Sequence, residues 1–371
     1  RSRLLPNLGL NYVGGQSDST ELGVPIDRTT DRSEWSLRWN LYNFGSDKGE
    51  LDASRSDVLA AQQDQRRARE EVAERIGRAY VEVMRYQGLL AQSRQRIAQM
   101  QRLLDKVNIQ HEAGKLAEAD LLQAQASMLA AEVDHGQVVA SLNAGMARLR
   151  TLAGGDLRPV VETQDEVLGF PESPVAPSGT LLANVGNGDP GVIDAARLRA
   201  DSAQARVLPK SAIWAPRVDL QYIDQIHDDT NPLPTNTDRK GWQVTARWDL
   251  PLGGETVARR AESQLRAQAA QVEVERLQQV VDSERTSLPA LITALERSLR
   301  QLNLQIAQYT ALIASGDMLF DAGRRSLAQL MQLHDNRYAA QQRRAEELER
   351  LRVSRIRLLA LGGGLLPAFG L

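Results

Sequence analysis

Residues able to do covalent chemistry are few and scattered in this chain. Its four histidines, His111, His135, His227 and His334, are dispersed with no carboxylate or second histidine at metal-ligand spacing, and are expected to face solvent. Carboxylates are numerous, but they interleave with arginines along the same stretches, which is the pattern of a solvated, salt-bridged helix face. The glycine-rich stretches Ala153-Gly154-Gly155 and Gly362-Gly363-Gly364 lack the preceding strand and the Lys-Ser/Thr pair of a phosphate cradle, and read as helix terminators. The absence of cysteine removes disulfides, thiolate metal sites and cysteine nucleophiles. No catalytic residue, metal site or cofactor is expected.

What remains is the chemistry of two-faced surfaces. Trp35, Leu37, Trp39 and Leu41 alternate with Ser36, Arg38 and Asn40, and Trp242, Val244, Ala246, Trp248 and Leu250 alternate with Gln243, Thr245, Arg247 and Asp249. Leu8, Leu10 and Tyr12, and then Val218, Leu220 and Tyr222, supply matching apolar rows on preceding strands. One such segment alone would read as a surface hairpin packed on a core. Here arginine stands opposite tryptophan, the tryptophans sit near strand ends as aromatic girdles do, and about 9 to 11 residues suit a tilted membrane strand. Trp35, Leu37, Trp39, Leu41, Trp242, Val244, Trp248 and Leu250 are therefore expected to face lipid. The polar segments from Gly14 to Ser33 and from Gln225 to Lys240 are expected to be long loops. Four strands cannot close a barrel, and each open edge group facing lipid would cost several kcal/mol. Other copies of the chain must then cover the edges.

The elements that position these strands occur twice. Arg38-Trp39-Asn40-Leu41 returns as Arg247-Trp248-Asp249-Leu250, Ala113-Gly114 as Ala322-Gly323, and Leu152 as Leu361, each 209 positions on (248 − 39, 323 − 114, 361 − 152). A long helix is expected from about Lys48 to Ala113 and again from Glu255 to Ala322, with return helices from Ala117 to Leu152 and from Ser326 to Leu361. At about 1.5 Å per residue each first leg would reach roughly 100 Å, so lateral partners are required. Met100, Leu103, Leu104 and Val107, matched by Tyr309, Leu312, Ile313 and Gly316, form one packing stripe. Leu142 with Leu149, and Leu351 with Leu358, sit at heptad spacing. Pro289 is expected to kink or interrupt its helix. Gly114 and Gly323 supply left-handed caps at the helical tips, where the exposed Leu116, Leu327, Lys115, Arg324 and Arg325 suggest docking.

The expected divisions are 1–44 and 211–253 for the strand pairs, 45–155 and 254–364 for the helical hairpins, 156–210 for a connector and leading helix, and 365–371 for a tail. The Arg1–Pro6 stretch matches the middle of the second repeat around Lys210 to Pro216, so a missing leading segment is expected. A net charge of −2 without a basic, aromatic-interleaved block argues against nucleic acid. No run of about 18 apolar residues exists for a membrane helix. A soluble coiled-coil scaffold with decorative hairpins is the rival to a membrane duct.

The order and duplication of Leu4-Leu5-Pro6-x-Leu8-x-Leu10, of Trp39-x-Leu41 and Trp248-x-Leu250 before Phe44-Gly45 and Gly253-Gly254, and of the Gly114-x5-Asp120-Leu121 and Gly323-x5-Gln329-Leu330 tips resembles the TolC family of outer-membrane export ducts. The resemblance implies a mainly α homotrimer with a 12-stranded outer-membrane β-barrel, four strands per chain, above a periplasmic coiled-coil tunnel. It implies a passive channel for type I protein secretion or multidrug efflux in the outer membrane of a Gram-negative bacterium. Its implied partners are a periplasmic adaptor (membrane fusion) protein, an inner-membrane ABC or proton-driven pump, and outer-membrane lipid. The implied adaptor contacts are Gly114, Lys115, Leu116, Asp120, Leu121, Gly323, Arg324, Arg325, Leu327 and Leu330. At the implied periplasmic gate, the family's acidic rings and tip tyrosine are replaced by Gln329, Gln332 and Phe320, while Arg325 and Asp120 are retained. An aspartate-ring cation site and a Tyr–Asp latch are therefore not carried over, and gating is expected to rest on Arg325, Gln329 and packing.

Overall fold

The computed structural model describes residues 5–21, 24–155, 189–207, 209, 216–228, 240–248 and 253–368. Alternating residues form strands β1 (Asn7–Glu21), β2 (Val24–Tyr42), β3 (Arg217–Asp228) and β4 (Lys240–Arg247). They pair antiparallel in the order β1-β2-β3-β4, leaving β1 and β4 as edges of the four-stranded sheet. The expected loop from Gly14 to Ser33 is instead hairpin: the β1–β2 ladder continues from Gly14↔Asp31 to Glu21↔Val24. Polarity there marks a change of surroundings and not the end of backbone pairing, because water tolerates a polar strand as well as a loop. Likewise β3 extends past Gln225 to Asp228, while the remainder of that expected loop lies outside the described residues.

Helical periodicity yields α1 (Ser46–Glu112), α2 (Glu118–Ala153), α3 (Gly191–Ala205), α4 (Glu255–Asp321), α5 (Leu327–Leu361) and the short α6 (Leu365–Ala368). Pro289 lies inside α4, which continues through it without interruption. No described helix is long and apolar enough to cross a membrane. The chain divides into two compact units, Arg1–Asp64 with Ile193–Leu277, and Gln65–Val192 with Gln278–Leu371, so each draws on both repeats.

In the first unit the sheet is accompanied by α3, whose buried Ile193, Ala195, Ala196 and Ala200 make its packing face. Ser202 Oγ donates to Asp57 Oδ1 at 2.6 Å, and Arg206 and Arg199 pair with Asp57 and Asp64 on α1. Backbone approach is close here: a Cβ on Gly49 would lie 2.7 Å from Pro209.

In the second unit helices pack as antiparallel hairpins along narrow seams. The buried residues of α2 are Ala124, Ala131, Val138 and Gly145, one per heptad, small enough to bring α1 close. Gly145 faces Val83, Ser93 Oγ meets His135 Nδ1 at 2.9 Å, and Arg148 donates to Glu82 at 2.9 Å, all in antiparallel sequence. The heptad leucines differ between copies: Leu351 and Leu358 are buried against Ile292, Leu295 and Leu299, whereas Leu142 and Leu149 are half-buried. Beside them Arg355 donates to Glu296 at 2.9 Å in a buried pair.

Candidate functional site: a two-faced sheet and two helical tips

Strand register decides which side chains share a face. Leu8, Leu37, Tyr222 and Trp242 stand opposite one another in one row, Trp39, Leu220 and Val244 in the next, and Leu10 pairs with Trp35. Rings join across strands, with Trp35 and Tyr222 centroids 5.4 Å apart and Tyr222 and Trp242 4.7 Å apart. Leu10, Trp242 and Val244 are 80%, 63% and 65% exposed in the chain alone, and Trp39 and Trp248 are exposed too. A contiguous apolar face of this kind marks a surface that meets a partner or a membrane. Tyr12 lies over the bare backbone of Gly14, where a Cβ would be 2.9 Å from its hydroxyl, a cover suited to an edge strand.

The opposite face is wet. Asn7, Arg38, Gln221 and Gln243 form one row and Arg217 faces Arg247 in another, while Arg32 donates to Glu34 at 2.8 Å. One expected lipid contact shifts: a register change between Asn40 and Tyr42 leaves Leu41 without a ladder partner and sets Tyr42 opposite Val218. Tyr42 thereby continues the apolar row, its ring 4.7 Å from Phe44, while Leu41 remains exposed at the irregularity. Leu250 lies outside the described residues.

Both tips of the second unit close by the same device. Gly114 and Gly323 adopt φ of 69° and 67°, and the next residues, Lys115 and Arg324, donate backbone N–H bonds to Gln110 and Leu319 at 2.9 and 2.8 Å. His111 Nδ1 lies 3.1 Å from the Leu116 carbonyl. The restarts differ: Ser326 Oγ accepts from Gln329 N at 3.4 Å, whereas Ala117 has no such acceptor and instead donates its N–H to Asp120 Oδ2 at 3.4 Å.

Behind these caps Met100, Leu103, Val107, Ala124, Ala131, Phe320, Leu327, Leu330 and Met331 form one apolar cluster. The expectation of an exposed Leu327 is thus corrected, since Leu327 and Leu330 are 1% and 0% exposed, and Leu116 and Leu121 pack half-buried against the same cluster. A leucine beside a capping glycine closes the helix end over its own core. Phe320 is buried there as well. Lys115, Arg324, Gln329 and Gln332 are exposed, Asp120 and Arg325 are half-buried, and Arg325 reaches across Gly316. Lys106 and Asp321 pair at 2.6 Å, and Gln332 bonds to Asn336 at 3.0 Å.

A polar layer adjoins this cluster. Arg96 lies 4.4 Å over the Tyr338 ring, pairs with Asp134, and donates to Asp335 at 2.9 Å. His334, expected in solvent, is instead buried. Burial, with the Arg337 charge second, holds its pKa below the ordinary histidine value. The signal for this layer lay in extending the apolar stripe backwards: Ser93 and Arg96 continue Met100, Leu103 and Val107 at heptad spacing. His334 and Tyr338 likewise continue Leu327 and Met331. Among the described residues no cluster suited to a metal ion occurs.

Residues 1–155 match the outer membrane efflux protein family. No curated protein matches the chain. Solved structures with the same fold include CusC, with 18% identity over 99% of this chain and 84% of that one at a TM-score of 0.83. VceC from Vibrio cholerae follows at 17% identity, 100% and 88% coverage and a TM-score of 0.79. The open state of the Neisseria gonorrhoeae MtrE channel matches at 18% identity, 98% and 82% coverage and a TM-score of 0.74. Residues 1–155 thus match the outer membrane efflux protein family, and the two-faced sheet with its capped helical hairpins shares the fold of these outer-membrane channels over nearly the whole chain.

Proposed function

We propose that three copies of the chain form one passive duct, each contributing its four strands to a closed barrel and its helical hairpins to a periplasmic tunnel. The observation that carries this reading is the pairing of an exposed apolar face with two open sheet edges, β1 and β4. In lipid those edges need partners, and β4 of one copy beside β1 of the next supplies them. Two copies would give about eight strands and an interior filled by side chains, whereas three give about twelve and leave room for a passage. Trp35, Leu37, Trp39, Trp242, Val244 and Trp248 then face hydrocarbon, with Tyr42 joining them beside Leu41.

The tips are the adaptor contact in this reading, through Gly114, Lys115, Leu116, Asp120, Leu121, Gly323, Arg324 and Arg325. Leu327 and Leu330 support that surface from beneath, given their burial. Arg325, Gln329 and Gln332 make the gate, with Phe320 as its internal packing. The duct performs no catalysis, and the energy for transport comes from an inner-membrane ABC or proton-driven pump. Both proteins and small toxic compounds remain admissible cargo. A soluble scaffold is disfavoured by the exposed Trp and Leu rows. The reading is tested by W39D/W248D: heat-stable trimer in the outer membrane should be lost, and undiminished trimer yield would overturn it.

A further inference from the structure

Three arginines on the wet face of the sheet, Arg38, Arg217 and Arg247, are exposed at strand positions that the repeat relates to one another. Arg38 and Arg247 hold the same place in the two repeats, 209 positions apart (247 − 38). The register sets Arg38 opposite Asn7 and Arg247 opposite Arg217, which are again equivalent positions. Arg217 and Arg247 are therefore like charges directly across an antiparallel pair, an arrangement that weakens a sheet. All three side chains are exposed, and among the described residues none has an ion-pair partner. Among the described residues one carboxylate, Asp219, adjoins them on this face, and Glu34, farther along, is already engaged by Arg32 at 2.8 Å.

We propose that Arg38, Arg217 and Arg247 line the barrel lumen as a cationic collar that concentrates small anionic solutes and makes the duct anion-selective at that level. The proposal rests on the trimeric duct described above. Because Arg38 and Arg247 are repeat equivalents, closure brings them to one height around the wall, with Arg217 beside each Arg247. The repulsion that costs the isolated sheet is then relieved by a passing carboxylate or phosphate, whose two oxygens fit the planar guanidinium fork. Rings of arginine around a passage with low-dielectric walls raise the local anion concentration and set the sign of the current.

The full-length trimer, reconstituted in planar bilayers across a KCl gradient, provides the test. Wild type should favour chloride, R38Q/R217Q/R247Q should lower the chloride-to-potassium permeability ratio about tenfold, and R38K/R217K/R247K should keep it. An unchanged reversal potential in the glutamine variant, or an equal loss in the lysine variant, would overturn the collar. If the tips keep the wild type shut, calorimetric binding of pyrophosphate replaces the current. Weaker binding by the glutamine trimer is then expected, and equal binding refutes the collar. A wild-type chain that assembles no trimer sinks the duct itself, whereas conducting trimers with unaltered selectivity sink only this proposal.

Discussion

At the scale of single residues, the tip cluster and its polar neighbour make the sharpest expectations. Leu330 has no exposed surface and packs with Phe320, Leu327 and Met331, so Leu330→Ala should cost about 2–5 kcal/mol. Hydrogen exchange should show that loss in the amides around Gly323. His334 has a pKa lowered mainly by burial, so the unfolded chain binds a proton more readily than the folded one. Stability is then insensitive to pH well above the ordinary histidine value of 6.5, and falls as pH drops below it towards the depressed folded value. His334→Gln should flatten that dependence in melting curves, and an unaltered slope would remove His334 as its source. Sequence reasoning placed the capping glycines correctly because a left-handed turn leaves few alternatives. It misread His334 and Leu327, because the polar tip beside them masks the heptad stripe they share with Met331 and Tyr338.

For the strands, the decisive quantity is parity. Val244 and Thr245 are neighbours in β4, yet their ladder partners, Leu220 and Asp219, place them on opposite faces. Val244→Arg should therefore cost about 2–4 kcal/mol near mid-bilayer, while Thr245→Arg should cost little. Heat-stable trimer yields of the two variants would reveal the difference, and equal yields would argue against a lipid-facing Val244. The helices obey a comparable rule. Ala131 is buried in the one-per-heptad seam of α2, so Ala131→Leu should destabilise its hairpin by about 1–3 kcal/mol through overpacking. Alternation and heptads were legible in the residues themselves. The register shift beside Leu41 was not, because an irregularity depends on what the partner strand offers.

On the scale of the whole molecule, exposed Lys115 and Arg324 head the two tips, each just after its capping glycine. Charge reversal at both, K115E/R324E, should weaken capture by the periplasmic adaptor several-fold, more so at low salt. Equal capture would shift the contact elsewhere. Duplication, strand polarity and helix length could be read from the sequence alone, since each is a local or periodic property that every residue reports within a few neighbours. The long β1–β2 ladder through Gly14 and Ser33, the half-buried Arg96 layer and the opposition of Arg217 to Arg247 required the tertiary structure. Each of those depends on the register between neighbouring segments, and register is set by the summed fit of many contacts that no single stretch encodes.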